Sequence, residues 1–350
     1  MLAAPQHRPR PLPLFLALLR SMTADDPARM AAALAGLKKY QEAERAAQPP
    51  LMPAVAEAHG ASLRDYGGPG SGSGAGWPPV VFIPSLINPP TVLDMGDRSL
   101  LRWLTGQGRR VLLLDWGWPG AERRLDVAGH VEQIALPLIA SLGEPVDLVG
   151  YCLGGTMALA VAQLGDARGV ATIAAPWHFD GFPDDARADL AKLWATAEPT
   201  AKALGVLPME VLQSAFWSLD PARTVAKFEA FAALEGNEAR TFVMLEDWAN
   251  DGPPVAEAAA REMFENFFVA DATGRGAWRV GGQVIDPAVL ACPLLNIVST
   301  TDRIVPAASA PRAGERLELA QGHVGMVVGS RAKDALWEPL AAWLSRSRPS

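Results

Sequence analysis

Residues Val146 to Ala160 read Val-Asp-Leu-Val-Gly-Tyr-Cys-Leu-Gly-Gly-Thr-Met-Ala-Leu-Ala, an order that few backbones accommodate. The run Val146 to Val149 has the character of a buried strand, and the small residues after Gly154 recur at helical spacing. Between them lies Gly150-Tyr-Cys-Leu-Gly154, with glycine two places before and two places after the cysteine. A turn that sharp brings strand and helix into close approach, which requires small residues at both flanks. The backbone N–H of Leu153, at the start of the helix, then faces any oxyanion that develops beside Cys152. A lone cysteine after a glycine is elsewhere a small buried hydrophobe. The strand-elbow-helix context makes Cys152 a nucleophile.

The other apolar runs follow the same alternation. Val80–Ile83, Val111–Asp115, Gly169–Ala174 and Pro293–Val298 read as strands, with a helix over Arg98 to Gly106 and a last one near Ala332 to Ser345. Strands that alternate with helices imply right-handed crossovers and a mostly parallel sheet. With the nucleophile elbow, this predicts an α/β class protein of the α/β-hydrolase fold. The stretch 177–282 breaks the alternation. It is helical in pattern and rich in aromatics, among them Trp177, Trp194, Trp217, Phe264 and Phe268, and is expected to be a helical cap insertion. Any one of those aromatics is first of all part of the cap's own core. As a group they suggest a water-poor access route. The expected organisation is an N-terminal helical segment over 1–50, an α/β-hydrolase core over 51–176 and 283–350, and the cap (lid) over 177–282.

Asp302 follows the Pro293–Val298 strand, and His323 lies in a loop after the further strand Arg316–Ala320. Nucleophile, acid, histidine is the chain order of this fold. Asp302 is thus expected to orient His323, and His323 to draw the proton from Cys152. The bland reading of Asp302 as a turn residue is weakened by three features in the correct order. The loop after Val80–Ile83 supplies a second oxyanion N–H from Leu86 or Ile87, because the neighbouring prolines have none to donate. Of the other histidines, His130 and His178 read as core or surface residues, or as part of the pocket lining. Cys292 reads as structural. The glycine-rich run 67–76 lacks the lysine of a phosphate-binding loop and reads as a solvated connection. No spacing suggests a metal ligand set.

A net charge of −7 without a basic stripe argues against nucleic acid as a partner. Two cysteines make no disulfide framework and suit a reducing cytoplasm. No apolar run approaches the roughly eighteen residues of a spanning helix. Pro11–Leu19 follows Arg8 and Arg10 and superficially resembles a signal peptide. Its prolines and the lack of a small-x-small site favour a docked or surface-binding amphipathic segment.

Sulfur at the elbow bears on the reaction. A cysteine that attacks a thioester exchanges one thioester for another, so the acyl group stays activated and can pass to an alcohol. His323 then serves as base for the thiol and next for the alcohol. With water as acceptor, the same residues make a cysteine esterase or thioesterase. A binding protein with a vestigial site is a third reading.

The residues also resemble the polyhydroxyalkanoate synthase family over about 80–345, most closely its short class III type catalytic subunit. The likeness rests on Asp97-Arg-Ser99, Asp115-Trp-Gly-Trp-Pro119, Gly150-Tyr-Cys-Leu-Gly-Gly155, Met244-Leu-Glu-Asp-Trp248, Pro293-Leu-Leu-Asn-Ile297, Asp302-Arg-Ile-Val-Pro306 and Gly322-His-Val-Gly325. It implies a nucleophile, acid and base at Cys152, Asp302 and His323. It implies polymerisation of (R)-3-hydroxyacyl-CoA with release of CoA at a cytoplasmic polyester granule surface. No cofactor beyond the coenzyme A thioester substrate is implied. The partners implied are the acyl-CoA, the growing polyester, a separate partner subunit and a second copy in a homo-dimer. The chain departs from the family at Gly120, where an acidic residue is common, and at Gly129-His130, near which an Asp-Tyr pair is usual.

Overall fold

The computed structural model describes residues 8–45, 50–67, 77–119 and 124–346. Most of the glycine-rich run, and Gly120, lie outside the described residues. Contacts divide the chain into two compact units, 1–49 with 208–252, and 50–207 with 253–350.

The larger unit is built on an eight-stranded sheet. Its strands in chain order are β1 (Ala54–Ala58), β2 (Ala61–Asp65), β3 (Val80–Ile83), β4 (Val111–Asp115), β5 (Val146–Tyr151), β6 (Ala167–Ile173), β7 (Leu294–Ser299) and β8 (Glu315–Leu319). Their spatial order is β1-β2-β4-β3-β5-β6-β7-β8. The pairs β1/β2 and β2/β4 are antiparallel, and the rest are parallel. β3 and β5 are buried along their whole length, as a central strand of a parallel sheet covered on both faces must be. The unbroken apolar run of β3, and the run of β5 interrupted by Asp147, made them legible in the sequence. β1 is the exposed edge, and β1 and β2 carry polar residues among small ones, which hid this hairpin from a search for apolar runs. Its turn is His59-Gly60, both with positive φ (50° and 76°), the backbone of a tight hairpin.

Two parts of the expected cap belong to this unit. The helix Asp184–Leu204 ends at Gly205 in a left-handed conformation (φ 74°), a common helix stop. The helix Glu257–Arg261 continues into a π-helical stretch, Glu262–Val269. These elements pack largely through aromatics. Trp194 stacks on Phe264 with centroids 5.3 Å apart, and Phe179 meets Phe267 at 5.4 Å. The segment is tied to the strand-bearing part of the unit where the N–H groups of Trp177 and His178 both donate to the Ser309 carbonyl, at 2.7 and 2.8 Å.

Among the described residues, the regular structure of the smaller unit is helical. The helix Leu12–Met22 buries Phe15 and Leu19, so the N-terminal apolar segment is docked. Asp26 caps the helix Pro27–Glu42 by accepting from the N–H groups of Ala28 (3.1 Å) and Arg29 (3.0 Å). These two helices share one core with Met209–Leu219, Pro221–Phe231 and Gly236–Ala249. Phe15, Leu19, Leu37 and Tyr40 meet Trp217, Val225, Phe228, Phe231 and Val243 there. A side chain at Gly36 would lie 1.9 Å from the Phe228 carbonyl oxygen, so glycine lets the two helix backbones touch. The sequence division, with 1–50 apart and 177–282 as one insertion, therefore differs from the division by contacts. Periodicity reveals an apolar helix face but not a partner some two hundred residues away.

No helix among the described residues is long and apolar enough to cross a membrane.

Candidate active site

Cys152 sits between β5 and the helix Leu153–Leu164 with φ 56° and ψ −130°, a conformation that side chains rarely adopt. Such a backbone costs on the order of 1–3 kcal/mol and persists only where its surroundings impose it. Here they do. A Cβ on Gly154 would lie 2.1 Å from the Ile83 carbonyl oxygen and 2.5 Å from Pro84, and one on Gly150 would lie 2.4 Å from the Gly155 Cα. Glycine at these positions lets the helix start press onto β3 and β5, and the Cys152 N–H is held by the Ile173 carbonyl at 2.9 Å.

Asp302 and His323 are brought together from the loops after β7 and β8. The two loops are tied by the N–H of Thr300 donating to the Leu319 carbonyl (2.9 Å) and the Thr301 hydroxyl donating to that of Ala320 (2.8 Å). One oxygen of the fully buried Asp302 carboxylate accepts from the N–H groups of Ile304 (2.8 Å) and Val305 (3.0 Å). The other lies 2.6 Å from Nδ1 of His323. With the carboxylate as acceptor, Nδ1 carries the proton, and in the neutral ring the second nitrogen carries the lone pair. Burial alone lowers the imidazole's pKa. The Cys152 charge, the hydrogen bonds to Asp302 and Cys152, and the Asp302 charge outweigh that effect and lift it to about 10.

The preceding residue, Tyr151, was not singled out by sequence. Its ring lies against that of His323, centroids 5.1 Å apart, and its hydroxyl donates to the His323 carbonyl at 3.3 Å. Adjacency to the elbow was the only available signal.

The backbone donors separate in the structure. Ile87 N–H already donates to the Ser85 hydroxyl at 3.0 Å. Among the described residues, nothing accepts from the N–H of Leu86 or of Leu153. The loop carrying Leu86 is held by Trp116, whose indole N–H donates to the Pro84 carbonyl at 2.9 Å. Beside it lies a small, partly open cleft lined by Leu86, Trp116, His130 and Val255 among others.

The remaining candidates lie apart from this relay. Cys292 is half-buried, and burial pushes its thiol pKa up. The His178 imidazole is pushed down by burial and by Arg312. His7 lies outside the described residues. Among the described residues, no cluster of His, Cys, Asp and Glu is placed to hold a metal ion.

Comparison with known proteins agrees with the fold. The alpha/beta hydrolase family matches residues 58–338. Over 290 residues the chain is 29% identical to the poly(3-hydroxyalkanoate) polymerase subunit PhaC of Haloferax mediterranei, covering 76% of this chain and 58% of that protein. It thus spans less than two thirds of the Haloferax protein. Over 291 residues it is 29% identical to the subunit of the same name from Allochromatium vinosum, covering 76% of this chain and 80% of that one. Among solved structures, MenH from S. aureus aligns with a TM-score of 0.51 at 11% identity, covering 82% of this chain and 98% of MenH. That likeness concerns the fold.

Proposed function

The chain belongs to the alpha/beta hydrolase family and, within it, to the poly(3-hydroxyalkanoate) synthases, and from that membership we propose that it polymerises (R)-3-hydroxyacyl-CoA with release of CoA. What supports the reading is a cysteine at the elbow together with a buried histidine whose Nδ1 lies 2.6 Å from the Asp302 carboxylate. In this reading Cys152 attacks the thioester carbonyl, and the N–H groups of Leu153 and Leu86 receive the oxyanion. CoA leaves as a thiol with the proton that His323 took from Cys152. The acyl group remains on sulfur as a thioester. His323 then deprotonates the hydroxyl of the acceptor, a growing chain or a second hydroxyacyl group, and the ester forms as Cys152 is freed.

Asp302 acts by orientation. With one oxygen fixed by two backbone N–H groups, the other holds Nδ1–H, so the nitrogen facing sulfur is always the one that can accept a proton. The parts of the expected cap that belong to the larger unit, 177–207 and 253–282, keep water from the acyl-enzyme. We place the enzyme in the cytoplasm at the surface of a polyester granule, working with a partner subunit and as a homo-dimer. It needs no cofactor beyond the coenzyme A thioester.

The test is incubation of the pure protein with (R)-3-hydroxybutyryl-CoA, following free CoA and product, with and without a partner subunit. CoA release with insoluble polymer is the expected result. CoA release with free hydroxy acid would move the protein to the thioesterases. No release in any condition would overturn both. In Cys152→Ala, the labelled acyl adduct is expected to vanish; an adduct that persists would refute the nucleophile.

A further inference from the structure

Tyr151 reaches from the elbow to the loop that carries His323. It is the last residue of β5 and is 3% exposed. Its backbone pairs with Ile173 of β6, whose carbonyl also holds the Cys152 N–H at 2.9 Å, so the side chain leaves from a fixed point of the sheet. From there it makes two contacts with one residue. Its hydroxyl donates to the His323 carbonyl at 3.3 Å, and its ring lies against the imidazole, centroids 5.1 Å apart and planes 34° from parallel.

The two contacts answer different needs. His323 stands in the loop after β8, and loops are more mobile than the strands they join. The hydroxyl ties the backbone of that loop directly to β5. The 2.6 Å contact of Nδ1 with Asp302 fixes one nitrogen but leaves the ring able to rotate about that contact. The Tyr151 ring blocks this rotation from one face. An aromatic face within about 6 Å also favours a cation over a neutral group, so it stabilises the imidazolium that forms when His323 takes the proton from Cys152 Sγ. The ionisable groups that act on His323 are Cys152 and Asp302, both as negative charges. Tyr151 adds no third charge. Burial first, and then the charges of Cys152 and Asp302, push its phenol well above the usual pKa, so the hydroxyl remains a donor.

We propose that Tyr151 is a positioning residue for acyl transfer, its hydroxyl fixing the loop at His323 and its ring setting the plane of the imidazole. The proposal rests on the acyl-transfer reading of Cys152. It divides the work on His323 between Asp302, which selects the tautomer, and Tyr151, which selects the orientation.

The experiment joins single-turnover CoA release from (R)-3-hydroxybutyryl-CoA to an NMR titration of the His323 imidazole, identified by the resonance missing in His323→Gln. The proteins are the unsubstituted chain, Tyr151→Phe and Tyr151→Leu, each checked for folding by circular dichroism. Tyr151→Phe keeps the ring and loses one neutral hydrogen bond, so its limiting rate should fall by roughly 2–10-fold at little change in half-saturation. Its imidazole should titrate as in the unsubstituted protein. Tyr151→Leu loses the ring as well. Its imidazole should titrate roughly 0.4–1.5 pH units lower, and its rate should fall below that of Tyr151→Phe. An unchanged rate in Tyr151→Phe, or a loss that appears only in half-saturation, would overturn the proposal; so would an unshifted imidazole in a folded Tyr151→Leu. Absence of CoA release from the unsubstituted protein would instead overturn the acyl-transfer reading, while the titration, which needs no turnover, would still decide what the ring does to His323.

Discussion

At the scale of single residues, the proposed site is a relay in which Asp302 orients His323 toward Cys152. The Asp302 carboxylate is occupied at both oxygens, two N–H groups on one and the imidazole on the other. Asp302→Asn would keep the shape but turn an amide N–H or a weaker acceptor toward Nδ1, favouring the wrong tautomer of His323. Acylation of Cys152 should fall by roughly 10²–10⁴-fold with little change in thermal stability, measured by stopped-flow CoA release and calorimetry. A fall below about tenfold would show that Asp302 does not orient His323. The residue types and their order were legible in the sequence because chemistry restricts which side chains can serve. The choice between Leu86 and Ile87 was not, since it turns on the Ser85 hydroxyl taking up one of two adjacent N–H groups.

At the scale of elements, the elbow depends on close backbone approach. Gly154→Ala would drive a Cβ to 2.1 Å from the Ile83 carbonyl oxygen, where only backbone can yield. This variant should lose several kcal/mol, in the range of severe overpacking, or fail to fold, as followed by circular dichroism and melting. Gly106→Ala is the control. Nothing lies within 4 Å of its added Cβ, and its melting temperature should stay level or rise slightly. Equal behaviour of the two variants would refute the packing account. Gly36→Ala makes the matching case among the N-terminal helices. An added Cβ 1.9 Å from the Phe228 carbonyl oxygen should force the helices Pro27–Glu42 and Pro221–Phe231 apart. Limited proteolysis should then open Pro221–Phe231 faster than in the parent protein; unaltered cleavage would count against a shared core.

At the scale of the whole molecule, the two ends of β5 carry opposite burdens. One end leads into Cys152. Near the other, Asp147 is fully buried, and among the described residues neither carboxylate oxygen has a hydrogen-bond partner. Burial raises its pKa from 3.8 to about 6, only partly offset by Arg109 and Arg168. The folded chain therefore binds this proton more tightly than the unfolded one. That contribution to stability is fully present below about pH 4 and is lost as pH rises through about 6. At about 1.4 kcal/mol per unit, the swing is roughly 3 kcal/mol. The stability of the parent protein minus that of Asp147→Asn should decrease by that order between pH 4 and pH 7, as read by urea unfolding. A difference that is flat across this range would show that Asp147 does not titrate there.

The sequence by itself determined the fold class and the candidate chemistry. Apolar runs of strand length, glycines on both sides of Cys152, and an acid and a histidine downstream in order are local signals that survive without coordinates. Only the tertiary structure decided the rest. It joined the helices of residues 12–42 to those of 209–249, because an apolar face records that it must be covered and not by what. It paired the polar strands Ala54–Ala58 and Ala61–Asp65, whose edge position leaves no continuous apolar run. It set the Leu86 N–H apart from that of Ile87 and brought His130 to the same cleft as Leu86, since hydrogen-bond direction and the approach of distant loops are properties of the folded chain alone.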